Sequence, residues 1–399
     1  MIQRFIRKKH FKKIINQLRG AKKLRNNGDP YFVLNKINDL TNISLGIDEN
    51  DFPKSLVGSH FSNAEIVLRQ NILINFTKFT PIMMQSIGSS KSLSLPIPPS
   101  WVDHFMLSGI KCSPKICKIL LYLNAIKKIA NGIYKFMNFS IQKNNPNYPG
   151  FPYVVFTGLL QNNLPQYDRE KETRDIISWY RGSSIKNKKV REIWAQAKIT
   201  DQYDPPDFLK VSRIIFPKLS GFSAYIRFFS TSLFLFLVAI TGLLKGKWWY
   251  GYIFPETIDL YYVKNLKNEH LAEEYFFSNS NTFYKPIWTY EVEKLKSLIT
   301  QYYYSTNNEN YRDNGYKFNG FPGLQIMTWK RFIVWDNNQE DFLRQFCPNS
   351  TYIKVGYLDI TGISKNFYSD KKFKILSVFD ITPLRTTAHT RLGMAIPQY

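Results

Sequence analysis

The chain has 399 residues, with 54 Lys and Arg against 30 Asp and Glu, 44% hydrophobic residues, and only 20 Gly and 20 Pro. That composition supports a sizeable core and excludes wholesale disorder, collagen-like repeats and Pro/Gly low-complexity classes, and the length fits two ordinary domains or one large one. A formal net charge of +24 implies an anionic neighbour, whether nucleic acid, a membrane face or a phosphorylated substrate, although the wealth of Ile, Asn, Lys and Tyr also fits AT-rich coding.

Residues 1–25 carry ten Lys and Arg, and Ile2, Phe5, Ile6, Phe11, Ile14, Ile15 and Leu18 recur at spacings of three and four. This is the pattern of a basic amphipathic helix. With no continuous apolar run behind it, it is not a secretory signal. It fits an anionic leaflet, RNA, a transit peptide, or a solvated helix docked on the body. Residues 26–100 are mixed, with loop signals at 26–29, 48–53 and 86–99. Cys112, Cys117 and Cys347 make no disulfide framework, and with no second pair and no nearby His they make no zinc site.

The spacing predicts a helix over 113–138, a turn cluster over 144–152, a short strand over 153–156 and a charged helix over 186–197. Residues 228–244 form the longest apolar stretch, closed by Lys245, Gly246, Lys247, Trp248 and Trp249. Its length is at the short limit for a span, so a core helix, an interfacial anchor and a transmembrane helix all fit, the last least well. From 250 the pattern alternates. A helix is predicted over 254–268, with Pro255 at its first position and Glu256 in its first turn. Strand 275–278, helix 289–296 capped by Thr289, strand 297–304, loop 306–323, strand 332–335, helix 337–346 and strands 353–357 and 373–379 follow. Strands separated by helices imply a parallel sheet, with sites at the carboxyl ends of its strands.

No glycine-rich dinucleotide loop, phosphate-binding loop, metalloprotease motif or nucleophile elbow is present, and the five His are scattered. Chemistry therefore falls to polar groups at strand ends. Tyr303, Ser305, Thr306 and Asn307 end a strand with groups that grip sugar or phosphate, against an ordinary turn. Glu256 is a carboxylate suited to a general base, against simple helix-start chemistry. Asp380, Thr382, Pro383 and Arg385 follow the last strand; Arg385 offers a fork to a phosphate and the helix start after Pro383 offers free N–H groups, against a capped turn with a surface Arg.

The stretches Phe151–Pro165, Asp175–Arg181, Gly246–Glu256, Tyr284–Glu291, Gln301–Asn307, Phe332–Asp336 and Ile375–Pro383 together resemble a family of bacterial surface-polysaccharide (O-antigen and capsule) biosynthesis proteins described as glycosyltransferases, over roughly residues 90–399. The resemblance implies an α/β, GT-B-like fold: two Rossmann-like lobes facing a cleft, the second incomplete. The implied organisation is a basic N-terminal region (1–90), an N-terminal lobe (91–320) holding the apolar helix 228–244, and the start of a donor-binding lobe (321–399), short at that length for a full nucleotide-binding half. It implies a nucleotide-sugar donor, a lipid-linked glycan acceptor, no metal and no other cofactor, and a cytoplasmic enzyme held on the anionic inner face of the plasma membrane. In that reading Glu256 or Asp380 is the catalytic carboxylate. Tyr180, Arg181, Trp288, Tyr303, Ser305, Thr306 and Asn307 bind substrate, and Thr382, Pro383 and Arg385 bind the donor. Lys285 stands where Arg is expected. The rival readings are a basic RNA-binding protein of ribosomal type, disfavoured because the charge is concentrated at the N-terminus without an RNA-binding motif, and a non-catalytic scaffold of polysaccharide assembly.

Overall fold

A computed structural model describes residues 36–47, 54–76, 92–141, 145–165, 175–199, 203–279, 283–304, 323–356 and 358. Its centre is one seven-stranded sheet, every pairing parallel: β1 (Tyr153–Leu159), β2 (Glu192–Ala197), β3 (Leu209–Ser212), β4 (Glu274–Ser278), β5 (Leu298–Tyr302), β6 (Arg331–Val334) and β7 (Thr351–Lys354), in the order β3-β2-β1-β4-β5-β6-β7. This mixed α/β architecture is consistent with a Rossmann-like fold. The strands read as near-continuous apolar runs because both faces are covered. In β1, Tyr153 and Val155 enter one core cluster and Val154 and Phe156 the other; in β4, Tyr275 and Phe277 divide from Phe276 in the same way.

Two expectations change here. Residues 192–197 are strand β2, not the end of a charged helix. Ile193 and Ala195 face one side and Trp194 the other, in register with Val154, Phe156 and Val155. The cations of 186–191 belong to the loop that enters it. β6 and β7, placed by sequence in the start of a second lobe, pair onward from β5 as the last two strands of this sheet. The predicted strand 373–379 lies outside the described residues.

The helices segregate. In chain order those longer than a single turn are α1 (Phe61–Phe76), α2 (Pro99–Leu107), α3 (Pro114–Ile141), α4 (Ile176–Gly182), α5 (Phe222–Leu244), α6 (Trp248–Lys264), α7 (Ile287–Lys294) and α8 (Asn337–Arg344). Only α4 of these covers the face built on Val154, Phe156 and Phe276, through Ile176, Ile177 and Tyr180. The opposite face carries α6, α7 and α8. The segments holding Ile37, Leu56 and Leu73 share that same core. Gln70 of α1 ties them in: its amide donates to Ile326 O (2.7 Å) and accepts from the Lys285 N–H (3.0 Å).

Helix α6 is buried almost throughout and separates the sheet layer from an outer pair, α3 and α5. It starts at Trp248, so Pro255 stands inside it rather than at its first position; the missing N–H leaves the Gly251 carbonyl without its usual intrahelical donor. Aromatic packing fastens the layers: Tyr262 stacks on Phe139 with ring centroids 4.3 Å apart and meets Phe228 edge-on at 5.1 Å. Glycines let the helices close. A methyl at Gly132 would meet the Phe254 ring and one at Gly242 the Tyr250 ring, while one at Gly251 would sit 2.9 Å from the Ala125 carbonyl oxygen.

The Ala125 oxygen is backbone and has no rotamer to escape into. Gly251→Ala is therefore expected to destabilise the fold by about 1–3 kcal/mol despite a gain of up to about 1 kcal/mol in helix propensity. The shift of the urea-unfolding midpoint measures it, and an unchanged or raised midpoint contradicts the close crossing.

Candidate functional site

The strand order reverses between β1 and β4. β2 and β3 lie on one side of β1, and β4 to β7 on the other. The connections leaving β1 and β4 go to opposite faces, into α4 and toward α7, the topology in which open α/β sheets bind ligands at the carboxyl ends of their strands. Apolar strand interiors end there in polar residues. Thr157 Oγ1 donates to Phe276 O at 2.9 Å. Gly158 follows with φ of +67°, a backbone open chiefly to glycine, and its N–H donates to Gln196 Oε1 at 3.2 Å. β4 ends in buried Ser278 and Asn279. Past β5, the Tyr303 N–H donates to Ile333 O (3.0 Å) and its carbonyl accepts from Trp335 Nε1 (2.7 Å).

Helix starts at this edge are natural anion sites, yet three of them already hold a carboxylate of the chain. Asp175 accepts from Ile177 and Ser178 N–H at the start of α4 (2.9 and 3.0 Å). Asp336 accepts from Gln339 N–H at the start of α8 (2.9 Å). At α7 the carboxylate comes from another helix: Glu256 of α6 accepts from Ile287 N–H at 3.2 Å and from the Tyr284 hydroxyl. Thr289 does not cap α7; its hydroxyl donates to Pro286 O at 2.7 Å, and Pro286 occupies the cap. Any phosphate bound at this edge would have to find its N–H groups elsewhere or displace one of these carboxylates.

Two further charged groups are buried behind the edge. Asp259, one turn beyond Glu256, pairs with Lys135 of α3. Burial pushes the Asp259 carboxyl up, Lys135 holds it down and Glu256 raises it again, leaving it at about 6. Lys285 is fully buried. Its ammonium sits 2.7 Å from Glu293 Oε1 and 4.4 Å from the Tyr290 ring centre; desolvation lowers its pKa and Glu293 opposes the shift.

The sequence-predicted residues divide. Glu256, Trp288 and Tyr303 lie in the core on the α6–α7 face. Trp288 packs edge-on against Phe216 and Tyr275, at 5.0 and 5.1 Å. Tyr180 and Arg181 lie on the opposite face, at the far end of α4. Tyr180 is fully buried against Phe156 and Phe276, and the Arg181 guanidinium stacks 3.5 Å over Phe208, just before the amino end of β3. Ser305, Thr306, Asn307, Asp380, Thr382, Pro383 and Arg385 lie outside the described residues. Gly158, Gln196 and Asn279 were missed by the sequence reading; the signal for the first was the Thr-Gly pair ending an apolar strand. Among the described residues no group of three or more His, Cys, Asp or Glu could hold a metal, and the three cysteines are free and buried.

The Asp259 carboxyl titrates higher folded (about 6) than its ordinary 3.8. Such a group favours the folded state at low pH and withdraws that support as pH rises through the interval, by up to about 3 kcal/mol at 1.4 kcal/mol per pH unit. Relative to Asp259→Asn, the wild type is expected to lose unfolding free energy between pH 4 and pH 7. A pH-independent difference between the two proteins contradicts the raised value.

Comparison with known proteins finds a family match over the C-terminal part of this chain. Residues 231–399, from within α5 through β4 to β7 and on to the last residue, match the family described as "Polysaccharide biosynthesis PFTS motif protein". The match begins well after residue 90, where the sequence resemblance was drawn, and leaves β1 outside it. No curated protein matches this chain. No solved structure matches it either. The family match supports a role for this chain in polysaccharide biosynthesis.

Proposed function

We propose that this protein is a glycosyltransferase that moves a sugar from a nucleotide-sugar donor to a lipid-linked surface-polysaccharide acceptor, with the reaction at the carboxyl edge of the sheet. One observation carries the reading: a chain matching a polysaccharide-biosynthesis family along β4–β7 has a parallel sheet whose order reverses at β1/β4, the place where open α/β sheets bind their ligands. In this reading the sheet is one lobe of a GT-B-type enzyme, and the donor binds against its carboxyl edge.

The roles follow from the chemistry. Gly158 lets the donor approach the β1 backbone closely, and Gln196 holds that turn. Asn279 and the polar run Ser305, Thr306 and Asn307 supply hydrogen bonds to sugar hydroxyls, while Tyr303, enclosed by the core, anchors the start of that run. Because chain carboxylates fill the starts of α4, α7 and α8, the donor phosphates fall to Arg385 with Thr382 and the N–H groups after Pro383, a charge-assisted fork worth more than a neutral contact. Glu256, with both oxygens engaged by Tyr284 and Ile287, positions α7, and Asp380 acts as the base that takes the acceptor proton. No metal or other cofactor enters this scheme.

The test is transfer itself. Purified protein is incubated with polyprenyl-linked acceptors and a panel of CMP-, UDP- and GDP-sugars, and product is read by mass spectrometry. Sugar transfer from at least one donor is expected, with Gln196→Ala and Asn279→Ala each lowering kcat/KM about tenfold, about 1.4 kcal/mol, at an unchanged melting temperature. Transfer that ignores both substitutions removes the site from this edge. Absence of transfer with every donor, while the protein still binds lipid-linked glycan, favours a scaffold.

A further inference from the structure

Helices α3 and α5 each carry two apolar stripes. On α3 the inner one, Cys117, Leu121, Ala125, Ile129, Gly132 and Phe139, is buried. The other, Ile116, Ile119, Leu123, Ile126, Tyr134, Met137 and Ile141, is exposed, between 47% and 66%. At 100° per residue the two stripes fall on opposite sides of the helix. α5 repeats the arrangement, with Ala224, Phe228, Leu235 and Ala239 inward and Phe222, Ile226, Phe229, Leu233, Leu237 and Leu244 outward.

The helices run antiparallel and touch. Tyr122 near the start of α3 donates to the Gly246 carbonyl just past α5, while Phe136 further along α3 meets Phe229 of α5 at 5.2 Å. Both turn their inner stripes toward α6, so their outer stripes share one side of the molecule. Contiguous apolar surface on this scale is rare on a soluble monomer and marks a partner or a membrane.

Charge selects the occupant. Neither helix contains an Asp or Glu. Lys115, Lys118, Lys127 and Arg227 lie along the helices, and Lys245 and Lys247 close α5. An apolar face bordered by cations with long stems matches the boundary between acyl chains and anionic headgroups. α5 is also long and apolar enough to cross a bilayer, with mean hydropathy 1.9 over its best window and 28% of that window buried. Packing argues against a span: its inner stripe rests on α6, which is buried in the sheet's own core, and a span would carry the polar loops at both ends of α6 into hydrocarbon.

We propose that the outer faces of α3 and α5 form a two-helix platform that lies in the plane of an anionic membrane, half-inserted, and carries the sheet above it. The platform is independent of the transfer reaction, because partitioning is read without donor or acceptor. The experiment is co-sedimentation of the full chain with vesicles of roughly 3:1 phosphatidylcholine to phosphatidylglycerol, and of phosphatidylcholine alone. The variants are Ile119→Glu with Ile126→Glu on α3, Leu233→Glu with Leu237→Glu on α5, and Lys115→Glu with Lys118→Glu at the border. Circular dichroism and melting temperature check that each pair of exposed substitutions leaves the fold intact.

Binding to the anionic vesicles is expected to fall at least tenfold for each apolar pair. The lysine pair is expected to weaken anionic but not neutral binding, and alkaline carbonate to release the bound wild type. A full effect from the α5 pair with none from the α3 pair overturns the platform in favour of α5 alone. Carbonate-resistant binding overturns it in favour of a span. If the wild type ignores vesicles and forms a dimer that the same pairs dissociate, the face belongs to a second copy and the proposal fails.

Discussion

The fold depends on α6 being held between two layers. On one side it meets α7 and the core of the sheet; on the other it meets α3 and α5 at distances that only Gly132, Gly242 and Gly251 permit. Burying Tyr252, Phe254, Ile258, Leu260, Tyr262 and Val263 contributes about 1.5–3 kcal/mol for each large side chain. The same helix takes two carboxylates into the core, which is costly unless each finds partners. Glu256 finds the Tyr284 hydroxyl and the start of α7, and Asp259 finds Lys135. A single helix thereby sets where α7 begins, and with it the shape of the edge at which β4 ends.

That arrangement limits the chemistry at the edge. A Rossmann-like sheet commonly offers its helix starts to phosphates. Here the starts of α4, α7 and α8 face Asp175, Glu256 and Asp336. The positive ends of these helices are spent on the chain's own acids, so the proposed anion site falls to side chains and loop N–H groups.

Much of the second half was legible in the sequence because its strands are short apolar runs separated by helices. β4, β5, β6 and β7 fall within one to three residues of the predicted spans, and α7 and α8 within two. The first half was less legible. The density of Lys and Arg over 186–191 disguised β2 as a charged helix, and the four-residue β3 is too short for its alternation to register. Pro255 read as a helix start, because the sequence does not say that tertiary packing on both sides holds a proline inside α6. The spacing of α3 announced a helix, but opposite apolar stripes look like uniform apolarity until the neighbours are known. At the site, residue type suggested Glu256 as a base, whereas the hydrogen bonds commit it to a neighbouring helix. Tyr180 and Arg181 carry the family resemblance, yet they sit across the sheet from Trp288 because α4 and α7 cover opposite faces.

Hydrogen–deuterium exchange with and without nucleoside diphosphates tests the central claim most directly, because it reads where the ligand sits without requiring the correct sugar or acceptor. The account predicts slowed exchange over residues 157–161 and 278–279 at the tips of β1 and β4, with the far end of α4 around Tyr180 and Arg181 unchanged. Protection confined to that end of α4 or to α3 and α5, with the two strand tips unaffected by any nucleotide, would contradict it.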